Sequence, residues 1–396
     1  MRLLLVNSFL HARGGDTTLF FAEWRGWEAR GVEIVPFAMR HPDNEVSPWA
    51  VHFPAWRSPR TPVTGPGAAE ALAHAVWNRD AARSLARLVA QVRPDAAHVH
   101  HVHRHLTPSI FPVLRRAGVR TAWTLHDHEL VCPNGLRFTA GAPCFRCQGG
   151  RYAAAVRHRC KDGAIGPSVA VAIEKAIHRG LRRMAAPDVY LAPSWHLAEG
   201  LVADGVPEAS VQHLPNLVEV LAEPGPLGAN VVFAGRLTAE KGVDAVAAVA
   251  RALPAVRVDV LGEGPERGRL AGLANVVCHG QLGRAEVHAR LATAGVVLVP
   301  SRWPENQPYA VLEAQLLARP VVARAVGGVP ELIEDGRTGR LVQTDPELVQ
   351  ATRQLLGDPA RAAALGAAAQ AQVRTTHGAP AWFGRMAAVL GLGGVT

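Results

Sequence analysis

Two carboxylates, Glu305 and Glu313, stand in an E-x7-E spacing inside the run Ser301-Arg302-Trp303-Pro304-Glu305-Asn306-Gln307-Pro308-Tyr309-Ala310-Val311-Leu312-Glu313. The apolar residues 295–300 ahead of it read as a buried strand. Pro308 then takes a first helical position, with Val311, Leu312, Ala314 and Leu317 forming an apolar face behind it. A strand, a polar turn and a helix in this order aim backbone N–H groups and the positive end of a helix at one point, which suits a phosphate or diphosphate. Carboxylates accept hydrogen bonds from hydroxyls. With one Glu in the turn and one further along the helix, a phosphate pocket between two hydroxyl acceptors fits a sugar nucleotide, Glu305 on the sugar and Glu313 on the ribose.

Other groups point to the same chemistry. Arg236 and Lys241 lie in Gly235-Arg236-Leu237-Thr238-Ala239-Glu240-Lys241-Gly242, just after an apolar run at 231–234. Two fixed cations there would stabilise the negative charge that a nucleoside diphosphate gains as it leaves. Gly262 and Glu263 end the next apolar run, where the backbone can approach a nucleotide, and Gly327-Gly328 opens Gly-Gly-Val-Pro-Glu. In the first half, Gly14-Gly15 follows the first strand, and His126-Asp127 ends a strand at Thr124-Leu125-His126-Asp127-His128.

In this order and spacing the motifs resemble the donor site of a retaining family-4 glycosyltransferase of the GT-B fold. The resemblance implies two facing Rossmann-like doubly wound domains with the active site in the cleft between them. It implies transfer of a sugar from a nucleoside-diphosphate sugar to an acceptor hydroxyl of a glycan, a lipid-linked glycan or a natural product. Glu305, Arg236 and Lys241 would act in catalysis, with His126 bonding a donor hydroxyl and Asp127 orienting it or the acceptor. Donor binding would further use Gly14, Gly15, Gly262, Glu263, Asn306, Gln307, Glu313, Gly327 and Gly328. His126 is not assigned as a general base: in enzymes of this type the acceptor attacks from the leaving-group face and the departing phosphate takes its proton. No Asp-x-Asp motif occurs in the chain, so no catalytic metal is expected. Other GT-B chemistry, a sugar-nucleotide epimerase or a phosphorylase, is the nearest alternative. A non-enzymatic zinc or nucleic-acid binding protein is a more distant one, and no nucleic-acid partner is expected.

Two clusters invite a metal. His98, His100, His101, His103 and His105 alternate along an extended strand, which sends His98 and His100 to one face and His101 and His103 to the other. That separation argues against one shared ion, and one or two of these imidazoles are expected to line an acceptor site. Cys132, Cys144, Cys147 and Cys160 follow C-x11-C-x2-C-x12-C. Four thiolates so spaced could close a structural zinc site, with reduced thiols, an iron–sulfur cluster or disulfides as alternatives. The stretch 130–163 would then be a clipped, Cys-rich insertion. Cys-Pro after His-Asp resembles a subset of bacterial polysaccharide and secondary-metabolite enzymes of that family.

The elements that must position these groups alternate in βα order. Expected strands are 3–6, 32–37, 96–102, 119–125 and 190–194 in the first half, with helices at 17–30 and 68–92, and a proline-rich loop at 42–66. In the second half they are 231–234, 257–261, 276–279, 296–299, 321–325 and 340–342. Domains are expected at 1–216 and 217–379, with 223–228 as a linker and 380–396 as a helix crossing back to the first domain. The chain has 396 residues, 48% hydrophobic and 19% charged, enough for two cores and too apolar for disorder. No stretch reaches the roughly 20 apolar residues of a spanning helix, and a cytoplasmic location is expected. The net charge of +9 favours anionic partners. Lys175, Arg179, Arg182 and Arg183 share one helical face, read as solvated or as a peripheral contact with the inner face of a membrane.

Overall fold

A computed structural model describes residues 1–12, 14–56 and 66–393. The chain divides into two compact units. The first comprises Met1–Arg137, Phe145–Pro215 and the segment from Trp382; the second comprises Phe138–Cys144 and Asn216–Ala381.

The first unit carries a sheet of β1 (Arg2–Val6), β2 (Glu33–Phe37), β3 (Ala96–Val99), β4 (Arg120–Thr124), β7 (Val189–Ala192) and β8 (Val211–His213). A short hairpin, β5 (Phe138–Thr139) with β6 (Ala142–Pro143), intervenes in the chain. The sheet order is β2-β1-β3-β4-β7-β8 and every pairing is parallel, as in Leu4 opposite Val35 and Ala97. A parallel sheet needs crossover helices on both faces, which is why these strands are apolar throughout and not alternating. The last helix, Ala379–Leu390, joins this unit through Trp382, whose indole N–H donates to the Pro215 carbonyl at 2.9 Å. Phe383 meets Trp27 edge-on at 4.8 Å, and its ring occupies the space a side chain on Gly26 would need.

The second unit repeats the plan with β9 (Val231–Ala234), β10 (Val258–Leu261), β11 (Val276–Gly280), β12 (Val296–Val299), β13 (Val321–Arg324) and β14 (Arg340–Val342), ordered β11-β10-β9-β12-β13-β14 and all parallel. Strand periodicity divides its core in two. Val231, Phe233, Val258, Val260 and Leu298 pack on one face, while Val232, Val297, Val299 and Ala323 pack on the other.

Three expectations change, and part of a fourth lies outside the described residues. The helix expected at 68–92 is two helices, Pro66–Val76 and Arg79–Val92, because the Asn78 side chain caps the second by accepting from Ala81 N–H at 2.9 Å. The stretch 223–228 is no linker. Gly225 N–H donates to the Ala292 carbonyl, and the Arg319 guanidinium grips the carbonyls of Gly225 and Pro226. Part of the proline-rich loop, 57–65, lies outside the described residues. Finally, the basic face of the helix Ile165–Leu181 is largely turned inward, and of its four cations Arg183, beyond the helix end, is the exposed one. Lys175 is 1% exposed, and Arg179 and Arg182 reach Asp204 at 2.9 and 3.2 Å.

Asp204 is wholly buried and also accepts from Gly149 N–H at 3.0 Å. Removing a buried carboxylate leaves its cations uncompensated. Asp204→Ala should therefore cost about 3–5 kcal/mol in denaturant unfolding; a loss under about 1 kcal/mol, the scale of an exposed pair, would refute the anchoring role.

Candidate active site

In the second unit the strand order reverses between β9 and β12, and it is outside the carboxyl ends of strands flanking such a point that open α/β sheets hold ligands. The loops that leave those two strands are the two motif-bearing ones. The turn Ala239–Lys241 follows β9 and ends at Gly242, which adopts φ 74°. A side chain on Gly242 would overlap the Pro300 carbonyl at the end of β12, so glycine lets the two loops touch. Arg302 N–H then donates to the Glu240 carbonyl at 2.8 Å. The contact brings Lys241 Nζ to 2.9 Å from Glu305 Oε1, a carboxylate that is 5% exposed and also accepts from the Ser301 hydroxyl. The Lys241 ammonium lies 5.4 Å from the centre of the Trp303 ring as well.

The rest of the turn is held from above. Gly327 adopts φ 61° with no room for a side chain against Pro304 and Glu305, and Gly328 N–H donates to the Glu305 carbonyl at 2.7 Å. Gly328 is thus engaged in seating the loop. Asn306 is 5% exposed, and neither atom of its side-chain amide has a hydrogen-bond partner. Buried polar groups are seldom left so; an amide with one donor end and one acceptor end suits a polyhydroxy ligand. Gln307 is tied down, its oxygen accepting from Asn216 N–H at 2.6 Å and its amide meeting His377 at 3.1 Å. Pro308 is the N-cap of the helix Tyr309–Leu316, one position earlier than expected.

Glu313 lies about one turn into that helix and is 9% exposed. Its carboxylate is 3.0 Å from His288 Nε2. Leu221 N–H donates to His288 Nδ1 at 2.9 Å, which makes Nδ1 the acceptor; Nε2 lies near the Glu313 carboxylate without hydrogen-bond alignment. Arg236 is on the surface, 3.5 Å from Glu240. Gly262 lets the loop after β10 lie on the Gly235 carbonyl, and Glu263 pairs with Arg267. Sequence reasoning missed His288 and Ser301; their i, i+4 relation along the chain to Arg284 and Glu305 was the available signal.

The first unit holds the other expected residues. Gly14 caps the helix Gly15–Glu28, exchanging hydrogen bonds with the Thr17 hydroxyl. Two turns along is Glu23, fully buried and absent from the expected site. Its place on the core face with Phe20 and Trp27, three and four positions away, was the legible sign. Glu23 accepts from Trp27 Nε1 at 2.9 Å, His98 Nδ1 at 2.7 Å and His100 Nε2 at 3.0 Å. His98 and His100 therefore share one face as expected, but they are sealed in, not lining a surface. His100 Nδ1 lies 3.1 Å from His126 Nε2. A carboxylate only accepts, so His100 Nε2 is the donor. In the neutral imidazole Nδ1 is then the acceptor, His126 Nε2 the donor, and His126 Nδ1 keeps its lone pair. Burial first, then the neighbouring His100, hold the His126 pKa well below the usual histidine value.

His101 and Asp127 gather instead with Glu129, which Arg104 grips at 3.0 Å. Burial and the Glu129 carboxylate push Asp127 up to about 6, although it accepts from Glu129 N–H at 2.7 Å. Among the described residues, three groups of ligand atoms lie close enough to share an ion: His11, His41 and Asp43; Glu23, His98 and His100; His101, Asp127 and Glu129. Cys132, Cys144, Cys147 and Cys160 form no such group there, and the Cys132 thiol donates to Asn134 Oδ1 at 2.9 Å.

Comparison with known proteins bears on the fold. Over nearly its whole length the chain has the GT-B fold. It superposes on sucrose-phosphate synthase from Thermosynechococcus elongatus with a TM-score of 0.70 and 21% identity, covering 98% of each chain. Anabaena HepE in complex with UDP and glucose gives a TM-score of 0.66 and 17% identity over 98% of this chain and 99% of that one. Residues 228–358 match the Glycosyl transferases group 1 family model. The chain is also similar to alpha-D-kanosaminyltransferase from Streptomyces kanamyceticus, 34% identical over 33% of this chain and 36% of that protein. Alpha-maltose-1-phosphate synthase from Mycolicibacterium smegmatis is 33% identical over 37% of this chain and 46% of its own length. The chain thus spans less than half the length of these two curated relatives.

Burial alone would raise the Glu23 pKa, yet His98 and His100 hold it down at about 2, against an ordinary 4.5. A depressed carboxylate stabilises the fold above its unfolded pKa and loses that contribution as pH falls toward the folded value. The stability gap between wild type and Glu23→Gln should therefore be full above pH 4.5 and shrink as pH drops toward about 2; a pH-independent gap in denaturant melts would refute the ionised assignment.

Proposed function

We propose that this protein is a retaining glycosyltransferase that moves a sugar from a nucleoside-diphosphate sugar to an acceptor hydroxyl. The observation that carries the reading is the Lys241–Glu305 pair, 2.9 Å apart where the strand order of the second unit reverses. Glu305 holds the donor sugar hydroxyls, and Lys241, with Arg236, takes up the charge that develops on the diphosphate. Glu313, beside His288, accepts the ribose hydroxyls. Backbone N–H groups of Asn306 and Gln307, in the turn that Gly327 and Gly328 seat, donate to the phosphates. His126, with its lone pair on Nδ1, accepts from a sugar hydroxyl, and Asp127 orients the reacting groups. The acceptor attacks on the leaving-group face, and the departing phosphate oxygen takes its proton. The UDP and glucose held by the similar HepE structure support a nucleotide-sugar donor, as does the group 1 domain.

Glu305→Ala and Lys241→Ala should each lower turnover at least about tenfold with the fold intact by circular dichroism, as loss of a transition-state contact does. Near wild-type turnover in either would remove the site assignment. Thermal-shift screening against UDP-, GDP-, ADP- and dTDP-sugars, with and without chelator, identifies the donor. A shift from one nucleotide regardless of chelator supports metal-free donor binding. Consumption of the donor with no acceptor present would point to an epimerase instead.

A further inference from the structure

The helix Ile165–Leu181 is turned inside out relative to an ordinary surface helix, which hides its apolar face and shows its charged one. Its polar side chains point inward. Glu174 lies 3.3 Å from Arg104 and 3.0 Å from Lys175, the His178 ring donates to the Val76 carbonyl at 2.8 Å, and Arg179 bonds Asp204. These buried partners set the roll of the helix, because rotating it would strip several charges of their counterions. What remains outside is an apolar ridge. Ile165, Val169, Ile173 and Ile177 recur every four residues at 53%, 37%, 42% and 40% exposure, and Met184 continues the ridge past the helix end at 59%. At about 1.5 Å rise per residue the four helical positions make a strip roughly 18 Å long.

Isolated exposed apolar residues need no explanation, but a continuous ridge rimmed by polar groups marks an interaction surface. The rim supplies the charge complementarity that selects the partner. Arg157 and Arg159 are exposed at the N-terminal end of the ridge, and Arg183 at the other. There the exposed Arg115 donates to the carbonyls of Met184 and Ala186 at 3.2 and 2.9 Å, with Arg116 beside it in sequence. Across 145–184 the one exposed acid is Asp162. Apolar side chains flanked by guanidinium groups match the boundary layer of an anionic bilayer, where the ridge enters the acyl region and the cations meet headgroup phosphates. No helix among the described residues is long and apolar enough to cross a membrane, so such contact is peripheral.

We infer that the ridge Ile165–Val169–Ile173–Ile177–Met184, with its arginine rim, is a docking surface for an anionic lipid bilayer. The proposal is independent of the sugar-transfer chemistry. It is tested by co-sedimenting the full chain with vesicles of equal parts phosphatidylglycerol and phosphatidylcholine, and with phosphatidylcholine alone. The mixed vesicles should bind at least roughly tenfold more tightly, and less tightly as salt rises. The Ile173→Glu/Ile177→Glu variant should lose at least about tenfold in binding, and Arg115→Gln/Arg183→Gln should lose the preference for anionic lipid. Both substitute exposed side chains, so an unchanged circular-dichroism melt accompanies these losses. Absence of binding to the mixed vesicles, or equal binding by the isoleucine variant, overturns the proposal. So does a concentration-dependent dimer in sedimentation equilibrium that the isoleucine substitutions abolish, since the ridge would then belong to a second copy.

Discussion

The candidate donor site depends on one close approach, that of the loop after β9 to the end of β12. Gly242 has no side chain to hold the loops apart, and without that contact Lys241 would not reach Glu305. A lone lysine or glutamate at a strand end is an ordinary solvated group. Drawn together at 2.9 Å in a turn where Glu305 is 5% exposed, each fixes the other's direction before any ligand arrives. Preorganisation of this kind lets charges act on a transition state without reorganising during the reaction. The same economy recurs at Gly327, which seats the Glu305 turn from the β13 side.

The first unit solves a different problem, that of keeping carboxylates in a dry interior. A buried charge is tolerated only where partners replace its water. Glu23 is met by an indole and two imidazoles, Glu129 by Arg104, Glu174 by Arg104 and Lys175, and Asp204 by two arginines and a backbone N–H. Each set of partners has a structural consequence. The Glu23 set fixes which nitrogen of His126 carries a proton, so a residue two helical turns from Gly15 governs the chemistry of an imidazole after β4. The Glu174 and Asp204 sets fix the roll of the helix Ile165–Leu181, and with it the exposure of the isoleucine ridge.

That helix shows why a charge pattern is weaker evidence than a strand pattern. Lysine and arginine at helical spacing usually mean a solvated face, because burial needs partners supplied from elsewhere in the chain. Here Arg104 supplies a partner for Glu174 from 70 residues away, and Asp204 supplies one for Arg179 and Arg182 from 25 and 22 residues away. Nothing local to 165–184 announces that such partners exist.

The sequence by itself determined the parallel βα architecture, since runs such as Val231–Ala234 and Val296–Val299 are apolar on both faces and only a sheet covered on both sides can bury them. It also determined the chemistry available at the strand ends, because Glu305, Arg236 and Lys241 sit soon after those runs, where the connecting loops must carry them. Tertiary structure alone decided which of these groups meet. Lys241 and Glu305 are 64 residues apart, Glu313 lies beside a histidine on another helix, and Glu23 joins His98 from 75 residues away. Local spacing records the period of a helix or strand; the pairing of distant charges follows from strand order and from how closely two backbones can approach, which no single stretch of sequence contains.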